Sequence, residues 1–175
     1  MRFLPILIVF LTATAFSTPE GTGAGPVPSG NSFRKEFLSR VNAIRAKGCR
    51  CGGKYMAPAP ALTWNEQLER AALAHARDMN RHGYFSHTSR NGNTLRDRIE
   101  KAGYKLNGYQ GYSYGENIAS GQRSIEQVMT SWIKSPGHCK NLMNPSFREI
   151  GVAENDYFWV QNFGMRQSFF SERKR

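Results

Sequence analysis

The segment SPGHCKNLMNP, residues 135–145, places a histidine directly before a cysteine in a chain of 175 residues that holds four His and three Cys. Imidazole and thiol groups act as general bases, nucleophiles and transition-metal ligands. The same pair would also suit a corner of the fold that a disulfide closes. The segment by itself therefore leaves three interpretations of His138 and Cys139: a catalytic centre, a metal site or a structural corner.

The amino terminus predicts export of the chain. Arg2 precedes the apolar run LPILIVFL, and small residues follow it, as in a secretory signal peptide. The run is short for a membrane span, which disfavours the alternative of a retained anchor. We therefore expect a secreted protein, extracellular or periplasmic, with no transmembrane segment once the signal peptide is removed. The predicted divisions are a signal peptide over 1–17, a flexible leader over 18–31, the domain over 32–168 and a basic tail over 169–175.

Three cysteines in an exported chain leave one of them unpaired. Cys49 and Cys51 lie together in GCRCGG, and we expect one of these two to form a disulfide with Cys139. Cys51 is the preferred partner, because the two glycines after it give the backbone freedom to adjust. The single residue between Cys49 and Cys51 is a shorter spacing than a zinc half-site uses, which disfavours a cysteine metal site.

The formal net charge of the chain is +11, and its basic residues are scattered apart from the terminal ERKR. No nucleic-acid-binding motif accompanies them, so specific binding to nucleic acid is not expected. A soluble, basic surface is the simpler interpretation, because net charge bears on solubility more than on function. Attraction to an anionic component of the cell envelope is the alternative, and a steep loss of binding with added salt would support it. The expected oligomeric state is a monomer.

Hydrophobic periodicity predicts four amphipathic helices and a short fifth one. Two of them have the spacing of a capping box at their start, Thr63 with Glu66 and Ser124 with Gln127. Gly83 is the predicted stop of the second helix, and Thr94 with Asp97 frames the predicted start of the third. The four longer helices are expected within residues 32–47, 63–82, 91–103 and 124–134.

The short fifth helix is predicted from Ser135 followed by Pro136, a residue pair that suits a helix start. His138 then falls in the first turn, where the helix dipole disfavours a protonated imidazole. We therefore expect a neutral His138, the form that ligates a metal or accepts a hydrogen bond. His75, in contrast, shares the apolar stripe of the second helix and is interpreted as a packed, hydrogen-bonded core histidine.

The carboxyl-terminal third predicts β-structure. REIGVAEN and YFWVQNFGM show the alternation of strands, and Asn155-Asp156 is the predicted tight turn of an antiparallel hairpin. A third strand is expected within 104–119, a Tyr- and Gly-rich segment whose composition also suits a surface loop. Helices on both faces of such a sheet would make an α/β fold, a three-layer α-β-α sandwich.

Five segments occur in the order found in the CAP superfamily: HGYFSH, YGENIASG, WIKSPGHCKNLM, FREIGVA and YFWVQNFG. The chain resembles this family of cysteine-rich secretory, antigen and pathogenesis-related proteins over roughly residues 35–165, and the short Trp-to-His spacing is similar to its bacterial, SCP-like branch. GENIA followed by W-x-x-S-P-G-H is specific as a pair, whereas either motif alone would be weak.

The resemblance implies a three-layer α-β-α sandwich with a small, mostly antiparallel sheet, and a cleft built around two His and two Glu. The histidines match His87 and His138, and the first glutamate matches Glu116. Ser135 stands where the family has its second glutamate, and Glu149 is the nearest replacement carboxylate. Two neutral imidazoles and a carboxylate suit a divalent metal such as zinc, with His87 and His138 as ligands, and equally suit a structural hydrogen-bond network.

A secreted, non-enzymatic binding module is the function that the resemblance favours, with lipids, sterols or host and cell-envelope partners as ligands. The aromatic segments 104–114 and 157–163 are candidate linings of its groove, and ordinary core and loop packing is the alternative interpretation of their rings. The alternative is a metal-assisted hydrolase, a protease or a cell-wall-cleaving enzyme, with Glu116 as general base. No serine, cysteine or zinc hydrolase motif accompanies the histidines, so enzymatic activity stays an open question and no catalytic residue is assigned.

Overall fold

A computed structural model describes residues 30–168. The predicted signal peptide (1–17), residues 18–29 of the predicted leader and the basic tail (169–175) lie outside the described residues. The last two residues of the predicted leader are helical, since the first helix begins at Gly30 and not at residue 32. Within the described residues, no helix is both long enough and apolar enough to cross a bilayer. The described helices are α1 Gly30–Lys47, α2 Glu66–His82, α3 Leu95–Lys101, α4 Ile125–Lys134 and α5 Pro136–Leu142. The described strands are β1 Cys49–Cys51, β2 Lys54–Met56, β3 Thr63–Trp64, β4 Gly111–Ser120, β5 Glu149–Asn155 and β6 Phe158–Gln167.

Four of the strands form one sheet in the order β3-β5-β6-β4. The short β3 pairs with β5 in parallel, and the other two pairings are antiparallel. The strand expected within 104–119 is the ten-residue β4, which pairs with β6 along its whole length. The Tyr- and Gly-rich composition therefore does not make this segment a loop, because the ladder with β6 satisfies its backbone groups.

The hairpin between β5 and β6 turns one residue later than predicted. Asn155 pairs with Phe158, so the two loop residues are Asp156 and Tyr157, not Asn155 and Asp156. Both loop residues have left-handed backbone angles, with φ of 50° and 65°. A two-residue loop of this hand matches the twist of the two strands, which explains why it is adopted without a glycine.

Helices cover both faces of the sheet. Neighbouring residues of a strand point to opposite faces. Ala119 and Trp159 pack into the apolar cluster of α1, α4 and α5, whereas their neighbours Ile118 and Val160 pack against α2. Helix α3 packs on the α2 side. The predicted three-layer α-β-α sandwich is therefore confirmed.

Helix α2 begins later than the capping-box spacing predicts. Thr63 and Trp64 are extended and pair with β5, and the N–H of Asn65 donates to a β5 carbonyl at 2.8 Å. Asn65 is the residue that caps the helix, since its side-chain oxygen accepts from the N–H groups of Gln67 and Leu68. The sheet pairing decides the boundary, because backbone groups used in a ladder are not free to begin a helix.

The other predicted caps are close to those observed. Thr94 and Asp97 form a reciprocal capping box at the start of α3. Ser124 accepts from the N–H of Gln127, but the Gln127 side chain accepts from Arg123 and not from Ser124. Ser135 precedes α5 as predicted, although its hydroxyl makes no capping hydrogen bond.

Helix α2 lies unusually close to the sheet at Gly151. A Cβ atom at this position of β5 would lie 2.1 Å from the backbone nitrogen of Glu69. Only glycine allows a helix backbone to approach a strand at this distance. This contact places the first turn of α2 against the sheet, and the loop that follows the other end of α2 carries the first histidine of the site.

Candidate functional site

The loop that follows α2 presents His87. Gly83 ends the helix with φ of 62°, as predicted, and the chain then leaves the sheet face. His75 of α2, buried to 1% exposure, contacts the Ser86 carbonyl through Nε2 at 2.9 Å. Arg98 of α3 donates to the His87 carbonyl at 2.8 Å. The core role predicted for His75 is confirmed, and it holds the backbone that carries His87.

Glu116 of β4 lies between His87 and Arg98. One carboxylate oxygen is 2.8 Å from His87 Nδ1, and the other accepts from Arg98 Nη2 at 2.7 Å. The Glu116 and Arg98 side chains are almost completely buried, whereas the His87 ring is 57% exposed. The carboxylate therefore orients the imidazole and compensates the buried guanidinium, which leaves His87 Nε2 facing outward without a hydrogen-bond partner among residues 30–168.

His138 lies in the first turn of α5, which hydrogen bonds attach to the sheet. Asn117 of β4 donates to the His138 carbonyl at 3.1 Å. Asn141 of α5 donates to the Glu116 carbonyl and to the Asn117 side chain, both at 3.1 Å. Two amides thus join the strand that carries Glu116 to the helix that carries His138.

Two further contacts fix α5 from its other side. Cys51 of the β1–β2 ribbon forms the predicted disulfide with Cys139, with a Cα–Cα distance of 5.3 Å. Arg45 of α1 is fully buried and donates to the carbonyls of Leu142 and Asn144 at 2.6 and 3.1 Å, at the end of the helix and just beyond it. Burial lowers the pKa of Arg45 to about 10. The helix that carries His138 is therefore held by α1, the ribbon and the sheet.

Both histidines line one open cavity of about 580 Å³. Ser135, the residue in the position of the second family glutamate, also lines it. Phe85 stands at the cavity with 54% of its surface exposed, beside the buried Trp132. Glu116 does not line the cavity itself, but its carboxylate contacts His87, which does. The complete lining is Phe85, Ser86, His87, Ile118, Ala119, Ser120, Gln122, Ser131, Trp132, Ser135 and His138.

Glu149, the candidate replacement carboxylate, is not among the cavity residues. It accepts from the Asn65 side chain at 2.6 Å and from the Tyr104 hydroxyl at 2.5 Å. Burial, and then the hydrogen bond to Glu149, raise the pKa of Tyr104. Glu149 therefore connects the start of α2 to β5. The hydrogen bonds from Asn65 and Tyr104 hold the Glu149 carboxylate away from the position of the missing glutamate.

The chemistry of the site is that of two imidazoles with different surroundings. Burial, and then the nearby His87, lower the pKa of His138, so it is neutral near neutral pH. His87 keeps Nε2 outward because Nδ1 faces Glu116. Neutral imidazole nitrogens of this kind ligate transition metals, and a carboxylate behind one of them is the usual companion of a metal-bound histidine.

The aromatic segments predicted as groove lining do not line this cavity. Tyr104 and Trp159 are buried, and Tyr112 stacks with Tyr114 on β4. These rings serve core packing and ring stacking, and neither segment contributes a residue to the lining of the histidine cavity.

Sequence reasoning missed Arg98, which touches both Glu116 and the His87 backbone. Its signal is its place between Leu95 and Ile99 on the inward stripe of α3. A charged residue on a buried helical stripe needs a partner of opposite charge, and only the fold shows that Glu116 is that partner.

The family model for the cysteine-rich secretory protein family, CAP, matches residues 38–163. The uncharacterized protein YkwD of Bacillus subtilis is 34% identical over 154 residues, which are 86% of this chain and 53% of that protein. The uncharacterized membrane protein YlbC of the same organism is 30% identical over 129 residues, 74% of this chain and 33% of that protein. The chain thus spans about half the length of one relative and a third of the other.

Two solved structures resemble the fold. One is an extracellular protein containing an SCP domain from Bacillus anthracis, with 31% identity and a TM-score of 0.62, over 78% of this chain and 44% of that one. The other is an outer surface protein from Borrelia burgdorferi, with 25% identity and a TM-score of 0.61, over 76% of this chain and 92% of that one. Family model, relatives and fold agree, and the chain therefore belongs to the CAP, or cysteine-rich secretory protein, family.

Proposed function

We propose that this chain is an exported CAP domain that acts as a binding module through the cavity between His87 and His138. The observation that carries the proposal is the environment of Glu116, whose two carboxylate oxygens are both engaged, one by His87 and one by Arg98. A carboxylate bound in this way and only 3% exposed orients a ligand-binding imidazole and is shielded from the water that a general base would activate.

A divalent metal such as zinc fits the two imidazoles. His87 would ligate through Nε2, and His138 is neutral because burial lowers its pKa. Two protein ligands leave open positions that waters or a ligand's donor atoms would fill. When bound, such an ion would act as a Lewis acid for an oxygen or nitrogen atom of the ligand.

The metal-assisted hydrolase is the weaker alternative. It would need Glu116 as general base. Protonation of Glu116 would remove its negative charge and leave the buried Arg98 guanidinium without an anion. Ser86, the hydroxyl next to His87, accepts a hydrogen bond from the Thr88 N–H and is not seen to donate to an imidazole. These contacts favour binding over turnover.

The cavity also offers apolar surface. The exposed Phe85, together with Ile118 and Trp132, would contact a hydrophobic part of a ligand. A lipid or sterol, or an apolar portion of an envelope or host partner, therefore suits the cavity better than a highly polar ligand. Export is supported by the Cys51–Cys139 disulfide, which persists in oxidising compartments, and by relatives described as extracellular or outer-surface proteins.

A zinc titration followed by calorimetry tests the proposal. We expect the wild-type chain to bind one ion, and the His87→Ala, His138→Ala double variant to lose this binding because both nitrogen ligands are gone. His82→Ala is the matched control, since His82 is an exposed histidine of α2 outside the cavity. Full zinc affinity in the double variant would show that the ion binds elsewhere, and robust peptidase activity abolished by Glu116→Gln would favour the hydrolase.

A further inference from the structure

A second recess lies on the α2–α3 side of the buried Arg98–Glu116 pair. It has a volume of about 430 Å³ and is bounded by α2, the loop that follows it, and α3. Arg98 and His75 line this recess and are not among the residues that line the histidine cavity. The two cavities are therefore separate spaces, and hydrogen bonds of Arg98 and His75 connect their walls.

Three cationic side chains belong to the wall of the recess, Arg70, Arg98 and Lys101. Arg70 and Lys101 are exposed at its rim, and Arg98 forms part of its base. Arg70 donates to the Ala102 carbonyl at 3.1 Å, a neutral partner, and the Lys101 ammonium has no acidic partner in the described part of the chain. No acidic side chain among residues 30–168 therefore neutralises the charges of Arg70 and Lys101.

The recess has one acidic residue, Asp78, and its carboxylate is already engaged. It accepts from the Tyr84 hydroxyl and lies 3.0 Å from His82. These contacts hold the negative charge at the far end of α2, two helical turns from Arg70. The electrostatic potential at the Arg70–Lys101 end is therefore positive.

Arg98 adds an unused donor. Its side chain is 6% exposed and its Nη atoms are engaged, but Nε has no hydrogen-bond partner among the described residues. A buried N–H without a partner costs free energy, so the Arg98 guanidinium is not fully compensated by the described residues. Its positive charge adds to those of the exposed Arg70 and Lys101, and oxyanions are the acceptors that guanidinium groups favour.

The loop end of the wall is polar, with Ser89, Asn91 and Asn93, whereas the part beside Arg70 and Lys101 is small and apolar. Ala71 and Ala74 of α2 and Ala102 after α3 leave space beside the cations for a few carbon atoms. A free inorganic anion would leave this surface exposed to water, whereas an organic anion would cover it.

We propose that this recess binds a small organic anion, a carboxylate or phosphate ester with a short apolar group, at Arg70 and Lys101. The apolar group would lie on the alanine surface of α2. Binding here does not depend on the histidine cavity or on a metal. A free metabolite-sized anion and a lipid headgroup present the same chemistry, and the experiment separates these sources.

The test is a titration of the whole chain with propyl phosphate at low ionic strength, followed by NMR of backbone amides. We expect shifts at Ala71, Ala74 and Ala102, and an affinity that falls by at least about tenfold in the Arg70→Gln, Lys101→Gln double variant. The matched control is Arg50→Gln, Lys54→Gln, which removes two exposed cations from the β1–β2 ribbon and gives the same net charge. We expect its affinity to stay within about twofold of the wild type.

Equal losses in the two double variants would overturn the proposal, since net charge and not the recess would then attract the anion. Inorganic phosphate binding as tightly as propyl phosphate would remove the role of the alanine surface and overturn the organic part. Retention of binding by the His87→Ala, His138→Ala variant supports a separate site, and its loss there would place the anion in the histidine cavity. Binding to phosphatidic acid vesicles that only the Arg70 and Lys101 variant loses would support a lipid headgroup as the source.

Discussion

Glu116 shows how much of the site depends on a single buried charge. Its side chain is 3% exposed, and its two oxygens contact His87 and Arg98 at 2.8 and 2.7 Å. A buried carboxylate is tolerated when a cation and hydrogen bonds compensate it, and here the same contacts orient the His87 ring. Stability and ligand binding are therefore coupled at this residue.

Glu116→Gln should destabilise the fold by about 3 kcal/mol, because it leaves the Arg98 guanidinium buried without an anion. It should also weaken zinc binding by about tenfold or more, since a histidine ligand would lose its carboxylate partner. Urea unfolding and calorimetry would measure the two effects. Glu126→Gln, on the exposed face of α4, is the control for loss of an acidic residue. A Glu116→Gln protein with wild-type stability would contradict the role assigned to the buried pair.

At the scale of secondary-structure elements, one disulfide joins the ribbon of β1 and β2 to α5, and a third cysteine sulfur lies beside it. Cys51 and Cys139 form the disulfide, and the thiol of Cys49 lies 3.6 Å from the Cys139 sulfur and 3.9 Å from the Cys51 sulfur. Burial raises the pKa of the Cys49 thiol, which keeps it protonated and weakly nucleophilic near neutral pH. The elements thus hold a second cysteine within reach of Cys139.

Cys51→Ser should transfer the disulfide to Cys49 and Cys139 when the variant is refolded with a glutathione redox pair. The reason is that the sulfur of Cys49 already lies 3.6 Å from that of Cys139, so a side-chain rotation suffices. Alkylation of free thiols and peptide mass mapping would identify the bond. Cys49→Ser should keep the Cys51–Cys139 bond, and Cys139→Ser should lose about 4–5 kcal/mol of stability in the chain-entropy model. Free thiols at both Cys49 and Cys139 in the Cys51→Ser protein would refute the alternative pairing.

For the molecule as a whole, the sandwich favours the neutral state of two histidines in its described part, the buried His75 and the half-buried His138. Burial, and then the charge of Arg98, lower the pKa of His75, and burial followed by the nearby His87 lowers that of His138. The layers around the sheet thus favour the uncharged imidazoles, while the unfolded chain has no such preference.

The free energy of unfolding should therefore fall as the pH falls below about 6.5, the ordinary value for histidine. In this range the unfolded chain binds protons that folded His75 and His138 resist, so acid favours unfolding; stability is full above it. Asp78, whose pKa is lowered by the hydrogen bond from Tyr84, extends the loss to pH values below 3.8. Urea titrations at about pH 7.5 and about pH 5.5 would measure the difference, and His75→Gln should reduce it. Equal stability at both pH values would show that burial does not perturb these imidazoles.

Much of the element pattern is present in local sequence. Apolar spacing located α1 and the apolar stripe of α2, and Gly83 and Thr94 were placed correctly because caps and stops are decided by a few neighbouring residues. Errors occurred where distant strands intervene. β3 displaced the start of α2 from Thr63 to Asn65, and the register of β5 with β6 moved the hairpin turn to Asp156 and Tyr157.

The sequence by itself determined the family and fold class, through ordered motifs such as GENIA and SPGHC, and it named His87, Glu116, His138 and the Cys51–Cys139 pair. Residue types and local spacing carry that information. Only the tertiary structure decided that Arg98 compensates Glu116, that Glu149 bonds to Asn65 and Tyr104 outside the cavity, and that a basic recess lies behind the site. The physical reason is that burial, charge compensation and cavity shape arise from the packing of segments far apart in the chain, which local patterns do not specify.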